Sequence, residues 1–213
     1  MKTTNKILFL ASISTILFAC GGNKQVNNQE KVEEGVNINN NPLGVLKKVT
    51  EAGNKYQEIQ EQITKNEPVN PIHFKDLISL LPKSPSGWEA EEAQGETNTF
   101  GEYSISQASR SYKQEDRTIE IRITDWAYNT GLYAPFLISA DFSQESSQGY
   151  NKGIKIGDVP GREEYTFNSK KGTLSLLAEQ RFFIEIEGNN IESQELQEWW
   201  GLIDKKEISQ ISN

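Results

Sequence analysis

The chain has 213 residues, with 30 acidic and 22 basic side chains, one histidine and one cysteine. A net charge of −8 lacks the basic footprint that binding to DNA or RNA requires. A lone thiol excludes an internal disulfide framework and a cysteine zinc site, and a lone histidine argues against a histidine-based metal centre.

The chain opens with a positive segment, Lys2 and Lys6. A 12-residue run from Ile7 to Phe18 follows, interrupted only by Ser12, Ser14 and Thr15. That is too short to span a bilayer, which takes about 20 residues, and it fits the apolar part of a secretory signal. It ends in Leu17-Phe18-Ala19-Cys20, which resembles the lipobox of bacterial lipoproteins, with Phe18 where a small residue is commoner. The resemblance implies a thioether between Cys20 and a diacylglyceryl group, cleavage before Cys20, and acylation of the new amine with a chain such as palmitate. Two or three such chains anchor a protein stably. The other reading is an ordinary signal peptide with a chance cysteine at its end. Cleavage would remove residues 1–19 and leave 20 basic and 30 acidic side chains. Such a domain is poorly suited to lying flat on anionic lipid. Gly21 and Gly22 follow the cysteine, rather than the Asp that tends to retain enteric lipoproteins in the inner membrane. The resemblance therefore favours the outer membrane.

Residues 20–41 carry the lipidated Cys20 and a stretch rich in Asn, Gly, Gln and charge, with no aromatic residue. This composition buries too little apolar surface to order itself and reads as a disordered, flexible tether. Its root-mean-square reach is roughly 25 Å. Residues 42–66 read as an amphipathic helix, because Leu43, Leu46, Val49, Gly53, Tyr56, Ile59 and Ile63 recur at spacings of three and four.

Residues 67–213 read as one α+β globular domain: a mainly antiparallel sheet with flanking helices. His73 to Leu81 predicts a short helix. From Trp88 the period changes to two. Phe100–Tyr112 and Thr118–Thr124 form a hairpin across the polar turn 113–116, with Ile119, Ile121 and Ile123 inward and Glu120 and Arg122 outward. Leu132–Phe142 predicts a helix with Pro135 in its first turn. Gly157–Gly161 is a turn, Glu164–Asn168 a strand, and Thr173–Ala178 with Arg181–Glu187 a second hairpin. Ser193–Ile203 predicts a helix capped by Ser193, and 204–213 a short polar tail. The element order alone is similar to PsbP-like extrinsic sandwiches, a resemblance of fold that carries no function.

The chemistry is sparse. His73 stands alone at a helix start, with no Gly-x-Ser-x-Gly pattern to serve. Glu89, Glu91, Glu92, Glu185 and Glu187 suit the wet face of a sheet. No nucleotide or calcium motif is present, so no cofactor is indicated. The remaining lead is aromatic. Trp126, Tyr128 and Tyr133 share one loop region. Adjacent Trp199 and Trp200 point about 100° apart on a helix, so either one of them is partly exposed at a binding surface or, the preferred reading, both flank a wide apolar stripe. The expectation is a lipid-anchored envelope protein with a non-catalytic binding or scaffolding domain. It would touch the membrane through its lipid, an envelope protein through its surface, and no nucleic acid. The alternatives are an envelope glycan hydrolase using paired carboxylates, and a small-ligand carrier.

Overall fold

The computed structural model describes Asn54, Gln57 and residues 67–212 apart from 102 and 141. The signal segment, Cys20 and the tether lie outside the described residues. Of the helix expected over 42–66, only Asn54 and Gln57 are among the described residues, and both are helical and exposed.

Nine strands form one antiparallel sheet. They are β1 (Glu89–Ala90), β2 (Gln94–Phe100), β3 (Tyr103–Gln114), β4 (Arg117–Asp125), β5 (Gln144–Ser146), β6 (Gly149–Ile156), β7 (Val159–Thr166), β8 (Lys171–Ala178) and β9 (Phe182–Asn189). The spatial order is β1-β3-β4-β9-β8-β7-β6-β5, and β2 lies along β3 on the same side as β1. Two meanders, β2–β4 and β5–β9, are sealed where β4 meets β9, with Ile121 opposite Ile186 and Ile123 opposite Ile184. Among residues 67–212, four helices complete the α+β fold: α1 (Phe74–Leu80), α2 (Thr130–Ser139), α3 (Ser193–Gly201) and α4 (Lys205–Ser212).

The period-two alternation sorts the strands into two faces. The inner face carries Ala108, Tyr112, Ile119, Ile121, Ile123, Leu174, Leu176, Phe182, Ile184 and Ile186, all without solvent exposure. Helices α1, α3 and α4 cover it through Leu77, Leu80, Leu196, Trp199, Trp200 and Ile208. At one end of β4, Asp125 and Arg181 form a buried bidentate ion pair, with Nε to Oδ1 at 2.9 Å and Nη2 to Oδ2 at 2.7 Å. The same carboxylate accepts the Ile72 and Ala127 amides at 2.9 and 2.8 Å, so it ties the entering chain, β4 and the start of β9 together.

Several boundaries differ from expectation. Helix α2 starts at Thr130, capped by Asn129, so Pro135 lies inside it rather than in its first turn. Strand β7 begins at Val159 and includes Pro160, which the sequence places in a turn. The pairing of β7 with β8 stops at Gly161, so the missing Pro160 amide falls beyond the end of that ladder. The β5–β6 hairpin has no counterpart in the expected elements. Residues 205–212 form a helix instead of a polar tail: the Asp204 carboxylate accepts the Lys206 and Glu207 amides, and Ile208 is buried. The cap of α3 is Glu192 rather than Ser193, with the Glu195 carboxylate accepting the Glu192 amide at 2.8 Å.

Candidate functional site: the outer face of the sheet

Residues that alternate with the core point to the other face, which is charged. Direct pairing sets Arg122 opposite Glu185, and Glu120 opposite Glu187. Ser175 and Thr173 continue these rows on β8, and Arg162 and Glu164 continue them on β7. Arg122 donates to Glu185 Oε1 at 3.0 Å and to Glu120 Oε1, while Lys171 Nζ meets Glu187 Oε1 at 2.7 Å. Burial pushes the Glu185 carboxyl above the usual carboxylate range. Arg122 opposes that push, and Glu187 and Glu120 add to it. The hydrogen bond and charge of Glu187 raise the Lys171 ammonium in turn. These carboxylates stand side by side on one sheet face, two of them tied to one guanidinium.

Helix α2 lies on the same face. Its sequence, TGLYAPFLIS, is apolar between polar ends. Ala134 and Leu177 are buried together, with Trp126, Phe136 and Leu137 packed against them. The Trp126 ring stacks on Phe183 with centroids 4.4 Å apart and planes 9° from parallel, and Phe136 meets Phe183 edge-on at 5.2 Å. Away from the sheet, Leu132 and Ile138 are half-buried, Pro135 is exposed, and Phe142 just beyond the helix is 49% exposed. An apolar helix normally buries every side. Arg162 fixes its C-terminal end by donating to the Ser139 carbonyl and to Asn151 Oδ1. Beside it, a shallow open groove of about 270 Å³ is lined by polar groups, including Gln144, Ser146, Asn151, Glu164 and Thr166.

The aromatic residues singled out in the sequence do not share one surface. Trp199 and Trp200 are both buried, at 4% and 5%, so both flank the apolar stripe and neither lies at a binding surface. The reason is tertiary: Trp88 packs edge-on against Trp199 and Tyr112 lies over it, while Lys205 covers the Trp200 ring. Trp126 belongs to the outer face. Tyr128 turns to the buried ion pair, under the Arg181 guanidinium, with its hydroxyl 3.4 Å from the Ser212 carbonyl. Tyr133 sits in α2, and its side chain lies outside the described residues. His73 caps α1, its Nδ1 accepting the Lys75 amide at 3.3 Å. Glu89, Glu91 and Glu92 are exposed near the β1 edge, away from Glu185 and Glu187.

Sequence reasoning misses Glu163, which is 2% exposed on the inner face. Its carboxylate accepts from the Tyr150 hydroxyl, from Gln197 Nε2 at 2.7 Å and from Lys152 Nζ at 3.1 Å. Burial acts to raise this carboxyl, but the hydrogen bonds from Tyr150, Gln197 and Lys152 outweigh it and hold the group below the usual carboxylate range. Burial and the Glu163 contact push Tyr150 up to about 12. The available signal was period two: Glu163 stands two residues before the inward-facing Tyr165.

Among the described residues, no group of three or more His, Cys, Asp and Glu side chains is placed to hold a metal ion, and no helix is long and apolar enough to cross a membrane. No protein-family model, curated protein or solved structure matches the chain. The likeness to PsbP-like sandwiches therefore rests on element order alone.

Proposed function

We propose that this is a lipid-anchored protein of the bacterial cell envelope, held through Cys20 with the outer membrane favoured. Its α+β domain is a non-catalytic binding or scaffolding module that docks an envelope protein on its outer face. The observation that carries the reading is α2, an apolar helix that leaves Pro135 exposed and Leu132 and Ile138 only half-buried, beside a row of charged side chains. An apolar centre with a polar rim is the usual build of a protein interface. The lipobox and the tether composition support attachment through the N-terminal lipid.

A hydrolase reading draws on one observation, the raised Glu185 carboxyl beside Glu187. Glycoside hydrolysis sets an acid and a second carboxylate on either side of the scissile bond. The flat, guanidinium-tied arrangement of Glu120 and Glu185 supports display of charge better than that chemistry. The carrier reading gains little from a groove lined by amides and hydroxyls.

A photo-crosslinking side chain placed at Leu132 or Pro135 in intact cells tests the reading. The expected result is an adduct with one envelope protein, absent when the probe stands at Lys83. No adduct, together with glycan hydrolysis that Glu185→Gln abolishes, would replace it with the enzyme reading. The anchor is tested separately: Cys20→Ala should leave an uncleaved or mislocalised precursor, and unchanged membrane fractionation would remove the lipid from the account.

A further inference from the structure

The β6 edge has a free stretch of backbone. The β6–β7 hairpin closes across a two-residue turn between Ile156 and Val159. In such a hairpin the closing pair exchanges hydrogen bonds, and bonded pairs then alternate along the strands. Ile156, Ile154 and Lys152 therefore bond to β7, while Gly153 and Lys155 aim their N–H and C=O groups the other way. The β5–β6 hairpin agrees in phase. It closes across two residues between Ser146 and Gly149, so Gly149 and Asn151 bond to β5. Strand β5 goes no further than Gln144, opposite Asn151. Among the described residues, none pairs with Gly153 or Lys155 on this side.

The slot has a shape and a charge. Continued in register, β5 would bring Phe142 opposite Gly153. Instead the Phe142 amide bonds to the Ser139 carbonyl at 3.1 Å and the chain turns away into α2. The Ser139 carbonyl is also held by Arg162, the β7 partner of Gly153, so the end of α2 stands over this part of the edge. Exposed Phe142 thus borders the slot on the outer side. Ile154 and Ile156, partly buried against the main core, border it on the inner side. Lys152 projects to the inner face, where it pairs with buried Glu163, and Lys155 to the outer face, 63% exposed and 3.4 Å from the carboxylate of exposed Asp158.

We propose that the β6 edge from Lys152 to Ile156 is a strand-addition site for an extended acidic segment of a partner protein, with apolar side chains at alternate positions. Backbone pairing to Gly153 and Lys155 supplies the register, Ile154 and Ile156 accept the apolar side chains on the inner face, and Lys155 meets the carboxylates on the outer face. Edge lysines also act against self-pairing. Two copies joined antiparallel about Ile154 would set the two Lys155 side chains as diagonal neighbours on one face, so a second copy is a poor occupant. The inference deepens the binding reading and rests on it for the existence of a partner. The helix-face crosslinks from Leu132 and Pro135 do not depend on this edge, so the two can fail separately.

The test uses the full chain in detergent micelles and two synthetic nonapeptides, one alternating Val with Glu and the other Val with Lys. Amide hydrogen exchange is followed at Gly153 and Lys155. The acidic peptide should slow both amides at least about tenfold, and the basic peptide should not. Lys155→Pro removes one outward N–H while sparing the β6–β7 bonds, as edge strands tolerate. It should abolish that protection at an unchanged melting temperature. Lys155→Glu keeps the amide and should shift the preference toward the basic peptide, a readout that stands even if the proline variant folds poorly. The proposal is overturned if millimolar acidic peptide leaves both rates unchanged, if Lys155→Glu leaves the preference as it was, or if protection appears without peptide and grows with protein concentration, which would mark self-association.

Discussion

The inner and outer faces of this sheet are made by the same strands, one residue out of phase, and they do opposite work. Inside, Ile119, Ile121 and Ile123 meet Ile184, Ile186 and the helices, and their exposure is nil. Outside, Glu120 and Arg122 of the same strand remain more than 40% exposed, and Arg122 pairs with both Glu120 and Glu185. Stability is concentrated where water is absent, so the outer face is free to vary its charges with little effect on folding. Helix α2 breaks the contrast, because it brings apolar surface to the charged side and covers only part of it.

The largest effect should come from the inner end of β4. Asp125→Ala leaves Arg181 charged, buried and unpaired, and releases the Ile72 and Ala127 amides. A loss of about 3–5 kcal/mol is expected in urea denaturation. A loss below about 1 kcal/mol would show that water reaches this pair. Ile121→Ala opens a cavity against Ile186 and should cost about 2–5 kcal/mol by the same measurement.

Acid sharpens the comparison through two glutamates shifted in opposite directions. The Glu163 carboxyl is held below its unfolded value near 4.3, so its stabilisation is full above that value and is lost as pH falls through the folded-state pKa. Glu163→Gln should therefore flatten the acid limb of a stability profile. The Glu185 carboxyl is raised, so its contribution worsens as pH rises from the unfolded value through the folded one. Glu185→Gln should make the protein slightly more stable at neutral pH, and a clear loss there would reverse the sign argued for this face. The smallest effects belong to the surface. Arg122→Ala and Leu132→Asp should each change stability by no more than about 0.5–1 kcal/mol in thermal melts. Leu132→Asp should still remove the crosslink formed from Pro135.

The hairpin 103–125 was legible because Ile119, Ile121 and Ile123 alternate cleanly with polar residues. The β5–β6 hairpin was not, because Lys152 takes an inward position where the pattern calls for an apolar residue, and only the buried Glu163 across the sheet explains it. Helix α4 carried a readable signal in Asp204 and Glu207, followed by Ile208 and Ile211, but its shortness disguised it. At the candidate site, the alternation already placed Glu120, Arg122, Glu185 and Glu187 on a wet face. Which strands would be neighbours was hidden, and with it the ties that Arg122 makes to both β4 and β9 acids.

The sequence by itself determined the class of the domain, the face each β4 residue takes and the resemblance of residues 17–20 to a lipobox. Each of these is written locally, in a period or a short motif. Tertiary structure alone decided that Trp199 and Trp200 are both buried, that Asp125 meets Arg181 across 56 residues, and that α2 leaves Pro135 exposed. Those outcomes depend on what arrives from elsewhere in the chain to cover a side chain, and no local pattern encodes the arrival.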